Sequence, residues 1–98
     1  MTEDRPDLQE VLHDDRLLDH LAAAEHARWA RWQLYIHEHC QPGPNGALII
    51  PAELVDRWTA QIHTQFSELT DMEKESDRDQ VRRYLPIIAE ALREARPS

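Results

Sequence analysis

The sequence is poor in cysteine, in glycine, in positive charge and in long apolar runs. Cys40 is the one cysteine, so no disulfide framework can form within the chain, and a reducing compartment is the simplest setting. The two glycines, Gly43 and Gly46, fall in one loop. That leaves no glycine-rich phosphate cradle and no nucleophile elbow. No apolar run approaches the roughly 20 residues that span a bilayer. Lys and Arg number 11 against 19 Asp and Glu, for a net charge of −8. Such an acidic balance excludes duplex nucleic acid as a natural partner, because phosphate neutralisation needs clustered cations. The opening MTEDRPDLQE is acidic and polar, unlike a signal peptide, so a cytoplasmic protein is expected.

What is present reads as helix. Composition is 41% hydrophobic and 31% charged over 98 residues, which suits one small helical domain. Residues 1–13 read as a flexible arm with at most a short turn around Leu8 to Leu12. From Asp14 to about His39 nothing breaks a helix, and Asp14 or Asp15 can cap it. QPGPNG at 41–46 is a loop. ALII at 47–50 is at most a minimal extended segment. Pro51 suits the first position of a second helix, in which Leu54, Val55, Trp58, Ile62 and Phe66 recur at helical spacing. Thr70 and Glu73 have capping-box spacing and start a third helix, which runs through Val81, Leu85, Ile88 and Leu92. Pro86 must kink that helix or break it and start a fourth. The expected fold is all-α, with three to four helices in a single domain over 14–96.

Helical phase then places the charges. With about 100° per residue and Leu18 at zero, Leu21, Ala22, Trp29, Trp32 and Ile36 form one apolar stripe. Glu25 falls in its middle, with Arg28 and His26 on its two borders. With Val81 at zero, Lys74, Asp77 and Arg78 fall on the inward line of the third helix. A buried charge without a partner costs several kcal/mol. Glu25 and Arg78 are therefore expected to pair, walled by Trp29 or Trp32, since a guanidinium bonds a carboxylate bidentately and stacks on an indole. The same pair could simply fix how two helices dock.

Other constellations are weaker. In HEHC at 37–40, His37 and Cys40 share a face but His39 does not, and His63 is the one other isolated candidate. Zinc needs three or four converging ligands, so a histidine-rich helix C-terminus offsetting the dipole is the better reading. No metal or cofactor is expected. A nucleophile would have to be Cys40 or Ser76 beside a histidine and a carboxylate. Nothing in the spacing assembles that set, and the chain is not expected to be an enzyme. VRRYLPII at 81–88 offers Tyr84, Pro86 and Ile87 to an interface, for instance in a symmetric homo-oligomer.

Two segments carry a family resemblance. In AEHARWARW, His26 is followed three residues later by Trp29. In HTQFSELTDMEKESDR at 63–78, an aromatic, a leucine, an acidic stretch with lysine and a terminal Ser-Asp-Arg map to Phe66, Leu69, Glu73, Lys74, Ser76, Asp77 and Arg78. Together they resemble the RyR domain, the repeat named after ryanodine receptors and found also in bacterial and phage proteins. The likeness covers roughly residues 17–92. The chain departs from the family after the first helix. There LYIHEHCQPGPNG and a further amphipathic helix stand where many members have a Gly-Trp and Tyr-Gly segment.

The resemblance implies a non-catalytic helical module that senses or sequesters a small, nucleotide-like or otherwise anionic ligand. The expected ligand-binding residues are Glu25, His26, Arg28, Trp29, Trp32, His63, Lys74, Asp77 and Arg78. Cations there would neutralise phosphate or carboxylate, and a tryptophan would stack on a ring. The alternative is a helical protein-interaction or oligomerisation module in which the same cluster is architectural.

Overall fold

The computed structural model describes residues 7–95. The fold is all-α apart from one minimal hairpin. Asp7 opens it, accepting a 2.9 Å hydrogen bond from the Gln9 backbone N–H as the N-cap of α1 (Leu8–Leu12). The second half of the expected arm is thus a capped helix, and its Val11 is buried; residues 1–6 of that arm lie outside the described residues.

α2 (Asp15–His39) is the long helix, about 37 Å at 1.5 Å per residue. Asp14 caps it: its Oδ1 accepts from the Arg16 N–H at 2.8 Å. After Cys40, β1 (Gln41–Pro42) pairs antiparallel with β2 (Leu48–Ile49), Gln41 opposite Ile49 and Pro42 opposite Leu48. A short 3₁₀ turn, Pro44–Gly46, connects them. The turn needs left-handed backbone at Asn45 (φ 57°) and Gly46 (φ 79°). Asparagine and glycine are the residues that adopt it at least cost.

Pro51 is the N-cap of α3 (Ala52–Ile62), one position earlier than its sequence reading placed it. A 3₁₀ turn at Phe66–Glu68 follows, then α4 (Asp71–Arg82). Thr70 and Glu73 close the expected capping box. The Glu73 N–H donates to Thr70 Oγ1 at 3.1 Å, and Glu73 Oε1 accepts from the Thr70 N–H at 2.9 Å. Glu73 Oε2 also accepts from Gln61 Nε2 at 2.6 Å, tying the start of α4 to the end of α3. These bonds, Gln61's first, hold the Glu73 carboxyl below its usual range. Thr70→Ala is expected to cost about 1 kcal/mol, as loss of an N-cap does, while Thr70→Ser should retain most of it; urea melts of the three proteins check this.

Pro86 breaks the last helical stretch rather than kinking it. α5 (Leu85–Glu94) starts afresh with Pro86 in its first turn and Tyr84 as N-cap. Proline fits there because its missing N–H is one the first turn leaves unsatisfied anyway.

The chain divides into two compact units, one made of residues up to Arg28 and from Arg78 onward, the other Trp29–Asp77. The sequence reading expected one domain over 14–96. In the first unit, Val11 and Leu17 are buried. The less exposed positions of α2 there are Leu17, Leu21, Ala24 and Arg28. They recur at i, i+4, i+7 and i+11, a single helical stripe. Leu18, the reference of the expected stripe, is 62% exposed. The covered face of α2 therefore lies one residue earlier, about 100° away. On α4, Glu73, Lys74 and Gln80 are partly covered, so Lys74 keeps its expected place, while Asp77, Arg78 and Val81 are exposed. In the second unit no described residue is fully buried. Leu54, Trp58 and Gln61 form the less exposed face of α3.

Candidate functional site

The shift in phase decides the partner of Glu25. On the realised phase Arg28 sits on the covered stripe and Glu25 stands at its exposed edge. Residues three apart on a helix are neighbours, so the two meet along α2. Arg28 Nε donates to Glu25 Oε1 at 2.9 Å, and Nη2 donates to Oε2 at 2.5 Å. This is the bidentate fork geometry that favours arginine over lysine. A third donor comes from Tyr84, just before α5, whose hydroxyl reaches Glu25 Oε1 at 2.6 Å. The expected Glu25–Arg78 pair is thus corrected to Glu25 with Arg28 and Tyr84. The Glu25 side chain remains 53% exposed and that of Arg28 34%, so this is a surface cluster, not a buried ion pair.

Its electrostatics follow from those three bonds. The Arg28 hydrogen bonds, then the Tyr84 hydroxyl, lower the Glu25 pKa from about 4.5 to about 2. The Glu25 bond pushes the Tyr84 phenol up and holds the Arg28 guanidinium more firmly protonated. A depressed folded-state pKa contributes stability that is complete above the unfolded value and lost as pH falls through the folded one. The contribution of Glu25 should therefore fade from about pH 4.5 down to about pH 2. NMR titration of the Glu25 side chain checks it. Arg28→Met should return the midpoint most of the way toward the ordinary carboxylate value, and Tyr84→Phe a smaller part of it.

The remaining expected site residues are distributed over both units. His26 and Arg78, in the first, are exposed. Trp29, Trp32, His63, Lys74 and Asp77 belong to the second. His63 is the C-cap of α3. Lys74 Nζ lies 5.9 Å from the Phe66 ring centre, within cation–π range. Trp32 joins an aromatic run that the sequence reading missed. It stacks on Tyr35 at 5.4 Å and 12°, and Tyr35 stacks on His39 at 4.0 Å and 26°. Trp58 of α3 leans on Trp32 at 5.4 Å and 58°. His39 Nδ1 donates to the Tyr35 carbonyl at 2.8 Å, which fixes its ring. The signal is legible in the sequence, because positions 32, 35 and 39 share a helix face, whereas HEHC by itself reads as a metal or dipole motif.

Among the described residues, no group of three or more His, Cys, Asp or Glu side chains could hold a metal ion. No helix of the described chain is long and apolar enough to cross a membrane. Comparison with protein families, characterised proteins and solved structures finds no match. The RyR-like motifs therefore rest on the residues that carry them.

Proposed function

We propose that the chain is a non-catalytic helical interaction module, whose apolar faces are completed by another polypeptide. One observation carries this reading. Only Val11 and Leu17 are buried among the described residues, whereas sixteen large apolar side chains are at least 41% exposed. Singly scattered apolar residues on a surface are ordinary. An excess of exposed over buried ones is not, because apolar burial is the main favourable term in folding. Ile62 and Met72, at 76% and 84%, lie at the far extreme. No disulfide offsets the deficit, since Cys40 is a free thiol. Small chains in that position commonly complete their cores by association.

The test is biophysical. The isolated, dilute protein should bind the apolar dye ANS and melt over a broad range. The transition should sharpen as complex forms with a partner or as concentration rises. A monodisperse monomer that melts steeply and leaves the dye dark would overturn the proposal.

A small nucleotide-like ligand is the second reading. The exposed Trp32 face in the aromatic run of the second unit favours it, as a stacking surface for a ring. Against it, the Arg28 guanidinium is already engaged by Glu25. Thermal shift with nucleotides and cyclic dinucleotides separates the two readings: a ligand at 100 times its Kd would add about 2.7 kcal/mol.

A further inference from the structure

The first unit contains a cleft of about 320 Å³ between the start of α2 and one face of α5. Its floor is apolar: Val11 and Leu17 on one side, Ile87, Ala91 and Ala95 on the other. Its polar lining is Asp14, Glu90 and Glu94, against the Arg16 guanidinium and the His20 imidazole. We infer that this cleft is a docking groove for a basic amphipathic helix, a partner whose apolar ridge seats on the floor while its Lys or Arg side chains meet the three carboxylates. The inference rests on the interaction-module reading and names the partner's chemistry.

Size comes first. Pockets that enclose small molecules run from about 300 to 1,000 Å³, so this open cleft lies at the bottom of the range. It suits a few side chains presented by a helix better than a whole ligand. The wall fits that use. Ile87 and Ala91 lie one turn apart on α5 and Ala95 is its C-cap, and alanine lets a second helix approach closely. Grooves of this kind are read by anchors at i, i+3, i+4 and i+7 of the incoming helix.

Charge selects the sign of the partner. Glu90 and Glu94 stand one turn apart on α5, and both line the cleft. Glu90 is bonded by Arg93, an exposed neighbour on the same helix. Glu94 has no partner among the described residues. Arg16 stands 3.9 Å from Asp14, a loose contact that leaves the rim net negative. A second copy of this chain would bring a net charge of −8 toward that rim. Like charges across an interface cost several kcal/mol and suppress the wrong partner. A cationic helix gains where a second copy loses.

The probe is a fluorescent amphipathic Lys/Leu helix of about 18 residues, long enough for about five turns. Its controls are the Glu/Leu counterpart and a scramble that destroys the apolar face. Binding to the full chain is read by anisotropy. The Lys/Leu helix should bind, more weakly as salt rises, and the two controls should not. E90K/E94K should weaken binding at least about tenfold, and Ala91→Trp, which fills the floor, by a comparable factor. E38K/E53K makes the same change in net charge at two carboxylates that do not line the cleft, and should stay within about twofold of wild type, as expected when local charge governs docking. Circular dichroism confirms that each variant folds.

Equal affinity for all variants would overturn the inference and leave only general attraction to an acidic protein, as would no binding at all. A small diamine displacing the peptide without any need for an apolar face would overturn it in favour of a simple cation site. Dye binding by the isolated chain is independent of these outcomes. Its persistence alongside a failed peptide test would sink the cleft and spare the interaction module.

Discussion

Leu17→Ala is expected to cost about 3 kcal/mol, within the 2–5 found for buried leucines, and to unfold the first unit near room temperature in mild denaturant. Leu17 is the most buried side chain described, at 4%. Val11 is the only other buried one, and both line the same cleft floor. A small domain has about 5–15 kcal/mol in total, so removing half of so small a core takes a large part of it. The neighbouring Leu18→Ala is the control. Leu18 is largely in water, and such a change stays within about 0.5 kcal/mol. Urea denaturation followed by circular dichroism measures both. If the two variants lost equal stability, the assigned phase of α2 would be wrong.

That contrast marks where sequence reasoning held and where it slipped. Local chemistry was legible. Asp14 capped α2, Thr70 and Glu73 closed their box, QPGPNG turned the chain and Pro86 ended a helix. Each of those signals acts within a few residues of itself, so no tertiary information is needed. Phase was not legible. α2 mixes apolar and charged residues on every face, and its amphipathicity is weak. Leu21 belongs to both the expected and the covered stripe, but Leu18, Trp29 and Trp32 are exposed while Leu17, Ala24 and Arg28 are covered.

From that one slip the site error follows. An inward Glu25 needs a distant cation, and Arg78 was the natural choice. An edge Glu25 takes the arginine one turn on and a tyrosine that only the α4–α5 break delivers. Tyr84, which the sequence offers to an interface together with Pro86 and Ile87, donates its hydroxyl to the Glu25 carboxylate, while Pro86 and Ile87 line the cleft.

The functional consequence concerns which groups remain available. In the first unit the Arg28 cation is spent internally, while carboxylates at the α5 face stay accessible. An acidic, apolar-floored surface discriminates against anions. In the second unit the aromatic run supplies a stacking surface and Lys74 lies over Phe66.

The second unit is tested through Trp58. Trp58→Ala should cost about 2–3 kcal/mol, less than the 3–5 of a fully buried tryptophan because the side chain is only partly covered. The indole is the ring that α3 lays against Trp32, and no described residue of this unit is buried to take over its role. A second side-chain tie of α3 is the part-buried Gln61–Glu73 hydrogen bond. Trp58→Phe keeps an aromatic face and should lose less than Trp58→Ala. Emission from the two remaining tryptophans, Trp29 and Trp32, supplies a readout, since the environment of Trp32 changes when the neighbouring ring is removed. Amide exchange should speed up along α3 in Trp58→Ala and leave α5 as it was. If α3 kept its protection without the indole, the aromatic contact would contribute little and the Gln61–Glu73 bond with the backbone hydrogen bonds would have to hold α3.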